Sequence, residues 1–303
     1  MTPQAEQAAT MTLPPPPGDA RFCDSHVHVV GDPASYGQVA TRTYTAGPAP
    51  LRTLQRQAAP LGVTRFVIVQ PSFYGTDNTV LLGTLDALAG QGRGVAVLDP
   101  AATLAADLAD LDRRGVRGLR INLYSGLSSS LGRSLDEAFA AVAALAGEQD
   151  WHVQVIAPIA MLADNVALLA RSPVPVVIDH YGLHGSAAPD SLHGRALLGL
   201  LRSPHVWIKL SAPYRVAEDP LAVRPHAAWL AAILDCCADR CVWGSDWPHT
   251  PEHALQTGAG DVIPYRRLDY GAVLGGFRAA LPAGFAAERI LRDNPARLYR
   301  FEQ

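Results

Sequence analysis

The run Asp24-Ser-His-Val-His28 places two imidazoles two residues apart inside an apolar stretch, residues 21–30. Side chains alternate faces along a strand, so His26 and His28 point the same way, with Asp24 behind them. Two imidazoles so placed can act on one atom, as metal ligands or as donors to a polarised oxygen. Similar polar residues recur where other apolar runs end. Ser72 follows residues 65–70, and Arg120 and Asn122 share one face of residues 116–123. Asp179-His180 closes residues 174–180, Lys209 and Ser211 lead into Tyr214 and Arg215, and Asp246 closes residues 240–246 ahead of His249. A carboxylate with three imidazoles suits activation of water against a carbonyl, and an arginine fork suits a carboxylate. Lys209 reads as the partner of a buried acid. Asp179, one residue before His180, is expected on the opposite face in a structural role. His249 is placed just beyond a strand, either lining the site or not.

The elements that must position these groups are eight apolar, strand-like runs alternating with amphipathic segments. The runs lie at residues 21–30, 65–70, 94–98, 116–123, 151–157, 174–180, 205–211 and 240–246. Helical spacing covers residues 51–61, 78–89, 102–114, 135–147, 159–171, 192–202, 225–238 and 286–298, the last expected to break at Asn294-Pro295. Near-continuous apolar strands joined by helices imply a parallel sheet buried on both faces. Eight such units predict a single, distorted (β/α)₈ TIM barrel over residues 21–303, in which chemistry belongs at the C-terminal strand ends. No G-x-G-x-x-G follows an early strand, which argues against a dinucleotide-binding open sheet. Residues 1–20 contain four consecutive prolines, Pro14 to Pro17, and read as a flexible arm rather than a secretory signal.

The bulk numbers narrow the partners. With 49% hydrophobic residues among 303 the chain can bury a large core, and a formal net charge of −3 gives no field for nucleic acid. No apolar run approaches a membrane span. The four cysteines, Cys23, Cys236, Cys237 and Cys241, form neither a metal-knuckle nor a disulfide pattern and suit a reducing cytoplasm. A monomer or a homodimer is expected. His184, His193, His205, His226 and His253 are expected at the surface, and His152 in a structural place.

Three motifs in this order, Asp24-Ser-His-Val-His28, Asp179-His-Tyr-Gly182 and Trp243-Gly-Ser-Asp-Trp-Pro-His249, resemble the amidohydrolase superfamily. The branch they most resemble contains 2-pyrone-4,6-dicarboxylate lactonase and related lactone hydrolases. Gln70-Pro-Ser-Phe-Tyr-Gly-Thr-Asp-Asn78, Arg120-Ile-Asn122 and Asp293-Asn-Pro-Ala-Arg-Leu-Tyr299 extend the likeness to nearly the whole chain from residue 20. The resemblance implies hydrolysis of a cyclic ester without a metal. His26, His28 and His180 would surround the lactone carbonyl, and Asp246 would act on the water. Arg120, Arg215, Ser72 and Tyr44 would hold carboxylates of a small anionic lactone.

Two positions depart from that pattern. Gly126 stands where the lactonase has a second arginine, and Ile156 where it has a tyrosine. A substrate with one anionic group, such as a muconolactone or a sugar-acid lactone, fits as well as a pyrone dicarboxylate. Arg42 or Arg133 is a candidate replacement. Burial of Asp246 between Trp243 and Trp247 is expected to raise its pKa toward a useful base. His26, His28, His180 and Asp246 also make a complete set for one Zn²⁺, and a mononuclear zinc decarboxylase of an aromatic or dienoic acid is the rival reading. Strand five offers only Gln154 where binuclear relatives bridge two metals.

Overall fold

In the computed structural model, residues 20–124, 135–251 and 261–302 are described. Eight parallel strands pair in chain order: β1 (Phe22–Val27), β2 (Val63–Val69), β3 (Gly92–Ala96), β4 (Val116–Asn122), β5 (His152–Ile156), β6 (Val176–Ile178), β7 (Val206–Ser211) and β8 (Cys241–Gly244). Sequential order excludes the strand reversal of a doubly wound sheet. Nearly every strand residue is buried, which is why the runs are continuously apolar rather than alternating. Helices α1 (Leu51–Ala58), α2 (Thr79–Leu88), α3 (Ala105–Arg113), α4 (Leu135–Gly147), α5 (Ile159–Asp164), α6 (Val166–Ala170), α7 (Leu192–Leu201) and α8 (Ala227–Cys237) alternate with the strands. Among the described residues, no helix is long and apolar enough to cross a membrane.

The barrel is stitched shut at the residues of interest. Asp246 N donates to His26 O at 2.9 Å, and His28 N donates to Trp247 O at 2.8 Å. Gly244 permits this approach, since a Cβ there would lie 2.6 Å from the Cβ of His26. Asp24 locks the seam from behind. Its Oδ1 accepts from Ser245 N (2.9 Å) and His26 N (3.2 Å), and its Oδ2 from the Tyr270 hydroxyl (2.8 Å).

Four elements differ from the sequence expectation. The third strand lies two residues earlier, and the segment 159–171 divides at Asn165 into α5 and α6. Helix α9 (Tyr270–Ala280) escapes the periodicity reading because Gly271, Gly275 and Gly276 lower its intrinsic propensity. The Asp269 side chain caps it, accepting from Ala272 N at 2.7 Å, and its aromatic face packs on Trp243 through Tyr270 and Phe277. At the C-terminus, a wide π turn (Arg289–Asp293) passes directly into α10 (Asn294–Tyr299). Asn294-Pro295 therefore changes the winding instead of breaking it, as Pro at a first helical turn allows.

Candidate active site

His26 and His28 project from β1 to one side, their ring centroids 5.0 Å apart. His180 comes from the end of β6, with its ring centroid 4.6 Å from that of His26. Asp246 follows β8, and its Oδ1 lies 3.6 Å from His26 Nε2 and 3.5 Å from His28 Nε2. His28 Nδ1 lies 2.8 Å from the Val69 carbonyl, and His180 Nδ1 lies 2.9 Å from Ser211 Oγ. A carbonyl only accepts, so His28 Nδ1 carries a proton and the ring turns its Nε2 toward Asp246. The chain is strained where it delivers these groups. His180, Ala212, Asp246 and His249 all have left-handed φ, from 50° to 67°.

Arg120, Arg215, Ser72, Tyr44 and Ile156 border the same hollow as His28, His180 and Asp246. Past Ser72 and Arg120 it meets a cavity of about 260 Å³, with Asn122 and the apolar Val97, Ile121 and Val142 in its wall. His249 borders neither space; it is buried with its ring 6.0 Å from that of Tyr214. A larger hollow, about 450 Å³, opens between Arg65, Arg93 and Phe301 and contains none of the histidines. Gly126, Arg133 and His253 lie outside the described residues. Arg42 donates to Thr45 Oγ1 and the Val39 carbonyl.

Several expectations are corrected. Asp179 does not turn away: it is buried against His26, with Oδ1 3.3 Å from His26 Nδ1, and its Oδ2 accepts from Gln154 Nε2 at 2.9 Å. Strict alternation ends with β6 at Ile178, and the left-handed turn at His180 lets both neighbours approach the barrel axis. Lys209 is the expected partner of that acid, at 3.6 Å. His184 is buried, stacked on Trp229 at 4.6 Å. Arg215, expected to hold a carboxylate of the substrate, holds one of the protein as well: its Nε donates to Asp246 Oδ2 at 2.8 Å and its Nη2 to Thr250 Oγ1.

That ion pair also reverses the expected basicity of Asp246. Burial pushes its pKa up, but the Arg215 guanidinium, with the surrounding imidazoles, outweighs burial and holds it well below the usual carboxylate range. The Tyr214 hydroxyl donates to the same oxygen at 2.6 Å. Burial pushes His180 down to about 4 and His26 well below its ordinary value, so both rings are neutral at pH 7. Tyr214, Gln154 and Asp179, noted in the sequence without a catalytic role, also reach the site, and Thr250 joins them unanticipated, its one local signal being that it directly follows the Trp-Pro-His run.

The donor set fits a divalent cation. His26 Nε2 and Asp246 Oδ1 are buried without a hydrogen-bond partner, and with His28 they offer three ligand atoms within 4.8 Å of one another. His26, Asp179 and His180 form a second such group.

The family model described as amidohydrolase matches residues 23–301. The chain belongs to this amidohydrolase family. It is 32% identical over 283 residues to the 4-sulfomuconolactone hydrolase of Rhizobium radiobacter, covering 91% of this chain and 89% of that protein. The enzyme of the same name from Hydrogenophaga intermedia is 29% identical over 287 residues, covering 94% and 89%. A solved structure from Pseudomonas putida, provisionally assigned as a 2-pyrone-4,6-dicarboxylic acid hydrolase, superimposes with a TM-score of 0.76 at 29% identity. That match covers 94% of this chain and 99% of the other. The Pseudomonas putida protein shares the barrel, and the two sequence relatives are named for hydrolysis of a lactone.

Proposed function

We propose that this amidohydrolase hydrolyses the ring ester of a small lactone carrying an anionic group. The observation that carries the reading is the convergence of Asp246, His28 and His180 on one hollow that also holds Arg120, with His26 packed against all three from behind. Asp246 is ionised and cannot donate. His28 Nε2 lies 3.5 Å from one oxygen of that carboxylate. A water that donates one proton to Asp246 has an oxygen lone pair free for a carbonyl. Attack forms the new C–O bond, and the water proton passes to Asp246. The tetrahedral oxyanion is met by an N–H donor of His180, and its collapse breaks the ring C–O bond. The proton held by the site then goes to the departing ring oxygen.

Arg120 is the group best placed for the substrate anion. Its Nη1 donates to the Gln70 carbonyl at 2.9 Å, while its Nε is buried without a partner. The apolar cavity beyond Ser72 gives room for the non-reacting part of the lactone. His26, His28 and Asp246 are the residues that would hold a divalent metal, whose chemistry there is Lewis-acid polarisation and a water of lowered pKa.

A panel of muconolactones, sugar-acid lactones and pyrone carboxylates tests this reading, monitored for acid and CO₂ release with and without chelator. Acid release without CO₂ is expected. Arg120→Gln in the same panel is expected to raise KM for anionic lactones by about 10²-fold, on the order of 3 kcal/mol, with a smaller effect on kcat. Release of CO₂ in place of acid would identify a decarboxylase instead.

A further inference from the structure

The reaction hollow is small. Its free volume is about 10 Å³, the room of a single water, so the body of a substrate lies in the adjoining cavity of about 260 Å³. At about 30 Å³ for each water-sized group, that cavity takes roughly eight non-hydrogen atoms. Ser72 and Arg120 border both spaces and form the doorway between them.

The two spaces differ in character. Asp246, Arg120, Arg215, His28 and His180 border the hollow. The cavity is walled mainly by Val39, Val97, Leu98, Ile121, Ala138 and Val142, brought together by the first loop, the end of β3, strand β4 and helix α4. Its polar groups are three hydroxyls, the Asn122 amide, Asp99 and Arg120, and Arg120 is the one cation among the described residues lining it. Arg120 is only 7% exposed and its Nε is without a hydrogen-bond partner, so an anion at the doorway gains a charge-assisted bond. A second anion deeper in the cavity would meet apolar walls and the Asp99 carboxylate, with no cation to offset its lost hydration. An apolar group in the same place gains by leaving water.

We infer that the substrate of this site is a monoanion with an apolar arm. Arg120 holds its one anionic group at the doorway, and an alkyl or aryl substituent fills the cavity between β4 and α4. Val97, Ile121 and Val142 set the preference for the arm. A lactone bearing two anionic groups is therefore the poorer substrate. Ring opening rests on the lactone reading; recognition of the anion and its arm does not.

Straight-chain carboxylates probe the site without turnover. Butanoate, pentanoate and hexanoate are titrated into the purified full chain by ligand-observed NMR. Hexanedioate, in which a carboxylate replaces the terminal methyl of hexanoate, serves as the dianion. Affinity is expected to rise about threefold with each methylene, and hexanedioate to bind about tenfold more weakly than hexanoate. Equal affinity along the series, no binding of hexanoate, or hexanedioate binding as tightly as hexanoate overturns the proposal, and none of these readings requires a variant to fold. Two variants locate the ligand. Arg120→Gln is expected to weaken every carboxylate by at least about tenfold. Val142→Phe, at a half-buried position of α4, is expected to fill the cavity and cancel the gain with chain length. Undiminished binding in the first, or an unchanged chain-length gain in the second, also overturns it. Failure of the lactone reading shows separately, as a lactone panel from which no acid is released.

Discussion

Asp246→Asn is expected to keep substrate affinity and lose turnover, with kcat falling by about 10³-fold, the usual range for a positioned base. The amide is nearly isosteric with the carboxylate and still offers an acceptor to Tyr214 and Arg215. It removes the charge that takes the water proton, and it offers one acceptor oxygen where the carboxylate has two. Arg120 and the apolar cavity are untouched, so KM should change little. Arg215 loses its counter-charge in a buried place, so the variant should also melt earlier; breaking a buried pair from one side costs about 3–5 kcal/mol. Steady-state kinetics on the folded variant reads the outcome. Near-normal kcat would remove Asp246 from the mechanism.

The second large effect is on acid stability. Burial lowers His152 to about 3 and His180, His184 and His249 to about 4, and holds His26 well below its ordinary value. Between these values and the ordinary imidazole pKa near 6.5, the unfolded chain binds protons that the folded chain refuses. Stability is therefore fully present above about pH 6.5 and falls as pH drops, by about 1.4 kcal/mol per pH unit for each such histidine. Asp179 and Asp246, held below the ordinary carboxylate range, add to the loss once pH falls below about 4. Asp24 opposes it: burial raises it to about 6, so it favours the folded state as pH falls through that window. Several histidines against one carboxylate give a net loss. Thermal melts should show a Tm that drops steadily from pH 7 to pH 5. A flat Tm over that range would contradict the buried neutral histidines.

How much of this was legible in the sequence follows from which contacts are local. The barrel was readable because strands buried on both faces must be continuously apolar, and eight of them leave few topologies. Helix α9 was hidden by its glycines, one of which, Gly276, is needed because a Cβ there would lie 2.3 Å from the Val223 carbonyl. His26, His28, His180 and Asp246 were readable because each closes an apolar run. Their setting was not. Asp179 faces inward only because the strand ends early and His180 turns left-handed. Asp246 is a weaker base than burial alone implies because Arg215 and Tyr214, more than thirty residues earlier, reach it across the barrel mouth. His249 follows Asp246 closely, yet a left-handed φ of 67° and burial beside Tyr214 set it apart from the hollow. Neighbours brought by tertiary contact decide protonation, and no local pattern records them.

If water opens a lactone ring in this hollow, turnover of the best lactone in H₂¹⁸O leaves its oxygen in the product, which mass spectrometry reads. A ring-opened hydroxy acid, or its keto form, is expected to carry one ¹⁸O in the new carboxylate, with no CO₂ formed. A rearranged lactone without label, or a product that has lost CO₂, would contradict it.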